Sequence, residues 1–287
     1  MHEEKYAFYD VAPCLRHNGK PISDSAIQGN IDVSRKHRSE AKTFIDDQGI
    51  ERRTFRARGS FADRCDACML PRLNCLCPYQ VTTTARAEVW LIMHPYEAYK
   101  PTNTGRLIKD VLPSTRIFLW SRTEPDAELL TLLASDRYQP FLIFPDDQPD
   151  YADRIVREPI VERARIPVFI ILDGTWRQAR RMFRRSTYLA ALPILPLHTE
   201  RLTRYKLRTP ASESHLCTAE VAAELLKRVG DVNASQLLDD YFDTFNDCYA
   251  ASRVHHRIKE PTEAMQRLLA WPGGVNGDRD PSLSGVD

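Results

Sequence analysis

Four short apolar runs punctuate the middle of the chain: "AEVWLIM" (87–93), "RIFLW" (116–120), "FLIF" (141–144) and "VFIIL" (168–172). They are too short for helices and too continuously apolar for strands with one wet face. They therefore predict strands buried on both faces. Helix-like segments lie between them, near 103–112, 126–135 and 150–164. This alternation predicts an α/β fold with a mostly parallel sheet and helices on its faces. The run "LPILPL" (192–197) is a weaker candidate for a fifth strand, because its prolines count against it. Two more helices are predicted, over about 218–229 and 234–250. In the second, Leu237, Leu238, Tyr241, Phe242, Phe245 and Tyr249 recur at helical spacing and read as a core-facing stripe.

The two ends of the chain lack such patterns. Residues 1–60 are polar and mixed in charge, and read as a mostly flexible extension with at most one short helix. Residues 256–287, rich in Gly, Pro and Asp, read as a loose tail. Residues 61–80 then form a small cysteine-bearing module, and 81–255 the main domain. No apolar run reaches the ~18 residues of a membrane span. The first residues lack the basic-then-apolar layout of a secretory signal, so a cytoplasmic protein is expected.

Charge changes the picture only through its distribution. The net charge of the 287 residues is +1, which argues against a polyelectrolyte. Yet residues 176–210 carry nine Lys/Arg against one acid, and residues 211–287 carry seven against thirteen. Within the basic stretch, Arg177, Arg180, Arg181, Arg184 and Arg185 fall at i, i+3, i+4, i+7 and i+8, on one face of a helix. Five arginines with no acid among them repel one another unless an anion lies opposite. "RLTRYKLR" (201–208) adds further cations, Arg204 and Arg208 among them, with a tyrosine interleaved. Nucleic-acid phosphates are the natural partner. Pairing with the acidic 211–250 region is the bland alternative.

Four of the seven cysteines crowd into "CDACMLPRLNCLC", at Cys65, Cys68, Cys75 and Cys77. Two close pairs can complete a four-thiolate tetrahedron, which suits Zn²⁺. Four protein ligands leave no open position, so the expected role is structural. An iron–sulfur cluster would use the same ligands.

The run 168–172 ends in Asp173-Gly174-Thr175-Trp176. Ligands of open α/β sheets sit beyond the carboxyl ends of the strands, where this turn must lie. Gly174 permits close backbone approach, Thr175 can cap the following helix, and Trp176 offers a face for stacking. The competing reading has Asp173 and Thr175 as caps and Trp176 packed on the sheet. His94 follows the first strand in the same ligand-facing layer; a contact to RNA or a donor competes with a structural role.

The Asp-x-Thr-Trp turn after a buried strand, the preceding cysteine cluster, "HPYE" (94–97), "NTGR" (103–106), "YKLRTP" (205–210) and "LCTAEVAAE" (216–224) together resemble the DTW-domain proteins. That family includes tRNA-uridine aminocarboxypropyltransferases, and the resemblance covers about 61–250. It implies a SPOUT-like fold, knotted around a pocket for S-adenosylmethionine. It also implies transfer of the 3-amino-3-carboxypropyl group to N3 of a tRNA uridine, releasing 5′-methylthioadenosine. The donor would lie against Leu172, Asp173, Gly174, Thr175, Trp176, Asn103, Thr104 and Gly105. Asp173 is the first candidate for the base, with Glu97 and Glu220 in reserve; Thr175 and Trp176 would position donor and uridine. The family has Ser where this chain has Cys217, which would cap a helix in a box with Glu220, so Glu220 reads equally as structural or catalytic. RNA methyl transfer, and RNA binding without catalysis, are the competing functions.

Overall fold

The computed structural model describes residues 63–147, 149–159, 162, 164–205 and 216–272, with two further backbone segments at 44–45 and 51–52. Five parallel strands form its sheet: β3 (Glu88–Met93), β4 (Arg116–Leu119), β5 (Tyr138–Ile143), β6 (Ile166–Asp173) and β7 (Ile194–Leu195). Their order across the sheet is β4-β3-β6-β5-β7. Strands β1 (Phe44–Ile45) and β2 (Glu51–Arg52) form a separate antiparallel ladder, inside the stretch expected to be flexible or briefly helical.

The helices are α1 (Gly105–Val111), α2 (Ala127–Leu133), α3 (Trp176–Arg185), α4 (Thr218–Arg228), α5 (Val232–Arg253) and α6 (Glu263–Leu269). Although the central strands are buried on both faces, their side chains alternate between two cores. Val89, Leu91, Met93, Phe169 and Ile171 pack with α1, α4 and α5. Trp90, Ile92, Val168, Ile170 and Leu172 pack with the layer of α2 and α3. Burying a side chain of this size contributes about 1.5–3 kcal/mol, so the register is strongly set.

Three sequence expectations change. The helix expected over 150–164 is a 3-10 segment, Pro149–Arg154, with Tyr151 outside helical geometry. The Tyr151 hydroxyl donates to Pro145 O and Asp147 Oδ1, and Arg154 donates to the Leu189 and Leu192 carbonyls, so tertiary bonds replace helical ones. Strand β5 starts before 141 and includes Pro140. That proline lies opposite Val168 of β6, whereas β7 covers only Leu142 and Ile143, so the missing N–H falls on an open edge. Finally, the stretch expected to be loose contains α6, whose Met265 and Leu268 are buried against α5 and whose Arg267 pairs with Asp240 at 2.7 Å.

The cysteine segment is part of the same core: Cys65, Cys68, Leu70 and Leu76 are buried within the cluster formed by α4 and α5. Asn74, itself buried, donates to His256 O and Ser252 Oγ and accepts from Ile258 N, binding the segment to the end of α5.

Candidate functional site

The sheet order sets a switch point between the neighbouring strands β3 and β6. From β3 the chain leaves through α1 to β4 on one side; from β6 it leaves through α3 to β7 on the other. In open α/β sheets such a switch point is where ligands bind, outside the carboxyl ends of the two strands. His94 and Asp173 stand there, joined by a backbone bond from His94 N to Asp173 O (2.9 Å).

Asp173 continues the odd-numbered series Phe169, Ile171 and so points toward α1 and α4, away from the arginines of α3. It is 3% exposed. Its Oδ2 accepts from Asn103 Nδ2 at 2.6 Å, and its Oδ1 accepts from Thr218 Oγ1 at 2.6 Å. Gly105 lies directly beneath, where a Cβ would come within 2.8 Å of Oδ2. Thr104 Oγ1 accepts from Ala219 N, fastening the same loop to the start of α4. Thus Asn103, Thr104, Gly105 and Asp173 are brought together. Thr218, which sequence reasoning passed over, completes the set. The alternation along β6 signalled which way Asp173 would face; nothing local signalled Thr218, 45 positions away.

The rest of the Asp-Gly-Thr-Trp turn serves the other layer. Thr175 caps α3 in a box with Gln178, whose Oε1 accepts from Thr175 N (2.7 Å) and Oγ1 (2.8 Å). Gly174 eases a close approach, because a Cβ would come within 3.1 Å of Gln178 Cβ. Leu172 is buried in the α3 layer. Trp176 is 39% exposed, stacked on Phe144 at 5.6 Å with the Arg180 guanidinium 5.0 Å from its ring centroid.

His94 is held among protein groups. It is buried, stacked between Tyr96 (5.3 Å) and Trp120 (5.8 Å), and its Nδ1 accepts from Tyr96 N and faces Gln178 Nε2. It joins β3 to the cap of α3. Glu220 is also fully buried and engaged: it accepts from Cys217 N, Thr203 Oγ1 and Arg204 N. The capping bond therefore forms with cysteine at the N-cap, and the geometry favours the structural reading of Glu220. Glu97 is buried and paired with Lys100 at 2.5 Å.

The two basic segments part company. Arg177, Arg180, Arg181, Arg184 and Arg185 are all exposed and, with Trp176, line an open groove of about 560 Å³. Only Arg180 has an acidic neighbour among the described residues, Asp147 at 3.7 Å. Arg204 instead pairs with Asp239 (3.1 Å) and Asp243 of α5, and Arg201 pairs with Asp239 (2.6 Å). Intramolecular pairing therefore holds for the 201–204 segment, with the Arg204 side chain still 42% exposed. Arg208 lies outside the described residues.

The four cysteines meet. Their sulfurs all lie within 4.8 Å of one another, with Cys65–Cys77 and Cys68–Cys75 at 3.6 Å. A zinc tetrahedron with bonds of ~2.3 Å has edges of about 3.8 Å, so the donor set fits. Hydrogen bonds from Cys75 and then Cys77 push the Cys68 thiol down, while bonding to Cys68 pushes those two up. The knuckle also reaches the Asn103 loop: buried Arg106 donates to Cys68 O, Pro101 O and Asn103 O.

A family model described as the DTW domain matches residues 62–250. The chain belongs to the DTW domain family. Its curated relatives include proteins named tRNA-uridine aminocarboxypropyltransferase 2. The Mus musculus protein is 26% identical over 60% of this chain and 58% of its own length. The Drosophila melanogaster protein is 25% identical over 57% and 65%, and the Macaca fascicularis protein 26% over 56% and 55%. The chain thus spans roughly three-fifths of the length of these DTW relatives. No solved structure matches it significantly. Among the described residues, no helix is long and apolar enough to cross a membrane.

Proposed function

We propose that this DTW protein transfers the 3-amino-3-carboxypropyl group of S-adenosylmethionine to N3 of a tRNA uridine. The observation that carries the reading is the pinned Asp173 carboxylate at the switch point, in a member of a family whose relatives bear that activity in their names. In the reaction, the N3–Cγ bond forms as the Cγ–S bond breaks. The electron pair neutralises the sulfonium as 5′-methylthioadenosine leaves, and the N3 proton passes to a base. Because the sulfonium is already activated, orientation supplies most of the help. Asp173 is the proposed base, held in place by Asn103 and Thr218. The loop Asn103–Gly105 and the turn Asp173–Gly174 are the proposed donor cradle, in a SPOUT-like knotted arrangement.

The arginine groove of α3 supports RNA as the acceptor. From Arg177 to Arg185 it spans about 12 Å at ~1.5 Å per residue, a length suited to successive phosphates rather than one small carboxylate. The four cysteines would hold one structural Zn²⁺ that anchors the knuckle and, through Arg106, the donor loop.

Mass spectrometry of tRNA incubated with protein and S-adenosylmethionine tests the proposal. A uridine heavier by one aminocarboxypropyl group, with methylthioadenosine released, is expected. Methylated RNA with S-adenosylhomocysteine would make the protein a methyltransferase, and unchanged RNA that still binds would make it a binding module.

A further inference from the structure

The arginines of α3 are not the only exposed cations among the described residues. Residues 248–259 contain no acid, and within them Arg253, Val254, His255, His256, Arg257 and Lys259 are all exposed. Among the described residues, no carboxylate lies within ion-pair distance of Arg253, Arg257 or Lys259. One basic residue ending a helix is ordinary, since it answers the helix dipole. Four residues of continuing basic loop are not explained by that.

The loop is also built rigidly. His256 N bonds to Ala251 O (2.9 Å) and His255 N to Ser252 O (3.2 Å), a Schellman end to α5. The left-handed position of that motif usually belongs to glycine, but here it is His255, at φ 53°. A side chain held there against its preference is exposed rather than packed, so core packing does not account for it. Beneath the loop, Asn74 of the cysteine knuckle fixes both His256 O (2.8 Å) and Ile258 N (2.9 Å).

Its place follows from a chain of contacts. Asp173 meets Asn103; Arg106, three residues on, holds Cys68 O; and the knuckle's Asn74 holds the basic loop. The loop thus lies on the carboxyl-end side of the sheet with Asp173, but in the layer of α1 and α5, opposite that of α3. The two basic surfaces thus lie in opposite layers of the sheet.

We propose that Arg253–Lys259, buttressed by the cysteine knuckle, is a second phosphate-binding surface that grips tRNA from the layer opposite α3. The proposal rests on the tRNA reading above. Its test is tRNA binding by the full chain over a salt series, comparing wild type with Arg257→Ala/Lys259→Ala. Each lost phosphate contact lowers the salt slope by about one and affinity roughly 5–8-fold at about 0.1 M salt. The double variant should lose about two units of slope, and Arg257→Lys/Lys259→Arg should retain binding. Combination with Arg181→Ala/Arg185→Ala should give additive losses, because the surfaces are separate. Both changes are at exposed positions, and an unaltered unfolding midpoint checks the fold; Lys259→Ala alone gives a milder second variant.

Wild-type binding with unchanged slope and affinity in the double variant overturns the second surface and leaves the proposed transfer standing. A variant that loses affinity, in a protein that moves no group onto tRNA, sustains the surface and removes the transfer. Binding of anionic phospholipid vesicles through this loop, with tRNA affinity unchanged, overturns the proposal in favour of a lipid partner.

Discussion

Substituting Gly105→Ala tests whether Asp173 is held against the start of α1. A Cβ at 105 would come 2.8 Å from Asp173 Oδ2, 3.1 Å from its Cγ and 3.1 Å from Leu91 Cδ1. Ordinary contact requires the carboxylate to retreat by about 0.6 Å, which stretches a 2.6 Å bond from Asn103 to the edge of the hydrogen-bond range. The carboxylate cannot swing freely, because Thr218 holds its other oxygen at 2.6 Å. Overpacking of this kind costs about 1–3 kcal/mol, while replacing glycine in a helix returns at most about 1 kcal/mol. A net loss of about 1–2 kcal/mol should lower the melting midpoint by about 2–8 °C. Displacing the proposed base should lower turnover roughly 10–100-fold. Denaturant unfolding and single-turnover tRNA modification measure the two effects. In a cycle with Asp173→Ala, the Gly105→Ala penalty should shrink, since the carboxylate atoms it strikes are gone and only Leu91 Cδ1 remains close. A variant within about 0.5 kcal/mol of wild type, with normal turnover, would refute the pinned-carboxylate reasoning.

Metal analysis should find one zinc per chain, and chelation or Cys68→Ser should lower the unfolding midpoint; a native, metal-free protein with all four thiols open to alkylation would count against the site. Arg181→Ala/Arg185→Ala should reduce the tRNA salt slope by about two while sparing stability, whereas Arg204→Ala should chiefly destabilise α5, where Asp243 loses its partner and Asp239 keeps only Arg201. Reversal of that pattern in binding and unfolding assays would exchange the roles of the two segments. Asp243 is pushed up to about 6 from 3.8, first by burial and then by Asp239, Asp247 and Asp240, against the opposing pull of Arg204. With the folded value raised, the folded state binds more protons in this window, so the contribution of Asp243 to stability falls as pH rises from about 4 to about 6. Asp243→Asn should therefore gain on wild type across that range in unfolding experiments, and a constant difference would contradict the shift.

Several features were legible locally because their causes are local. Buried strands at 87–93, 116–120 and 168–172 follow from continuous apolar runs, and the arginine face of α3 follows from 3.6-residue periodicity. The cysteine spacing announced a four-sulfur cluster, because short connecting turns leave few other arrangements. A helix start at 218 was visible too, and Glu220 secures it even with cysteine at the cap.

What tertiary structure alone decided are the choices between partners far apart in sequence. By charge pattern, Arg204 and Arg181 were equivalent; the packing of α5 beside 201–204 gives the first two acidic partners, while the second has none among the described residues. Asp173 was readable as a cap, a base or a ligand contact, and its role depended on Asn103 and Thr218, delivered by two other segments. His94 became a wedge between rings rather than a surface group only because Tyr96 and Trp120 close around it. The helix α6, too weakly patterned to be seen alone, exists where the apolar wall of α5 gives Met265 and Leu268 somewhere to go. Periodicity reports which face a residue occupies. Strand order and helix docking report what that face meets, and those depend on burial summed over the whole chain rather than on any window of it.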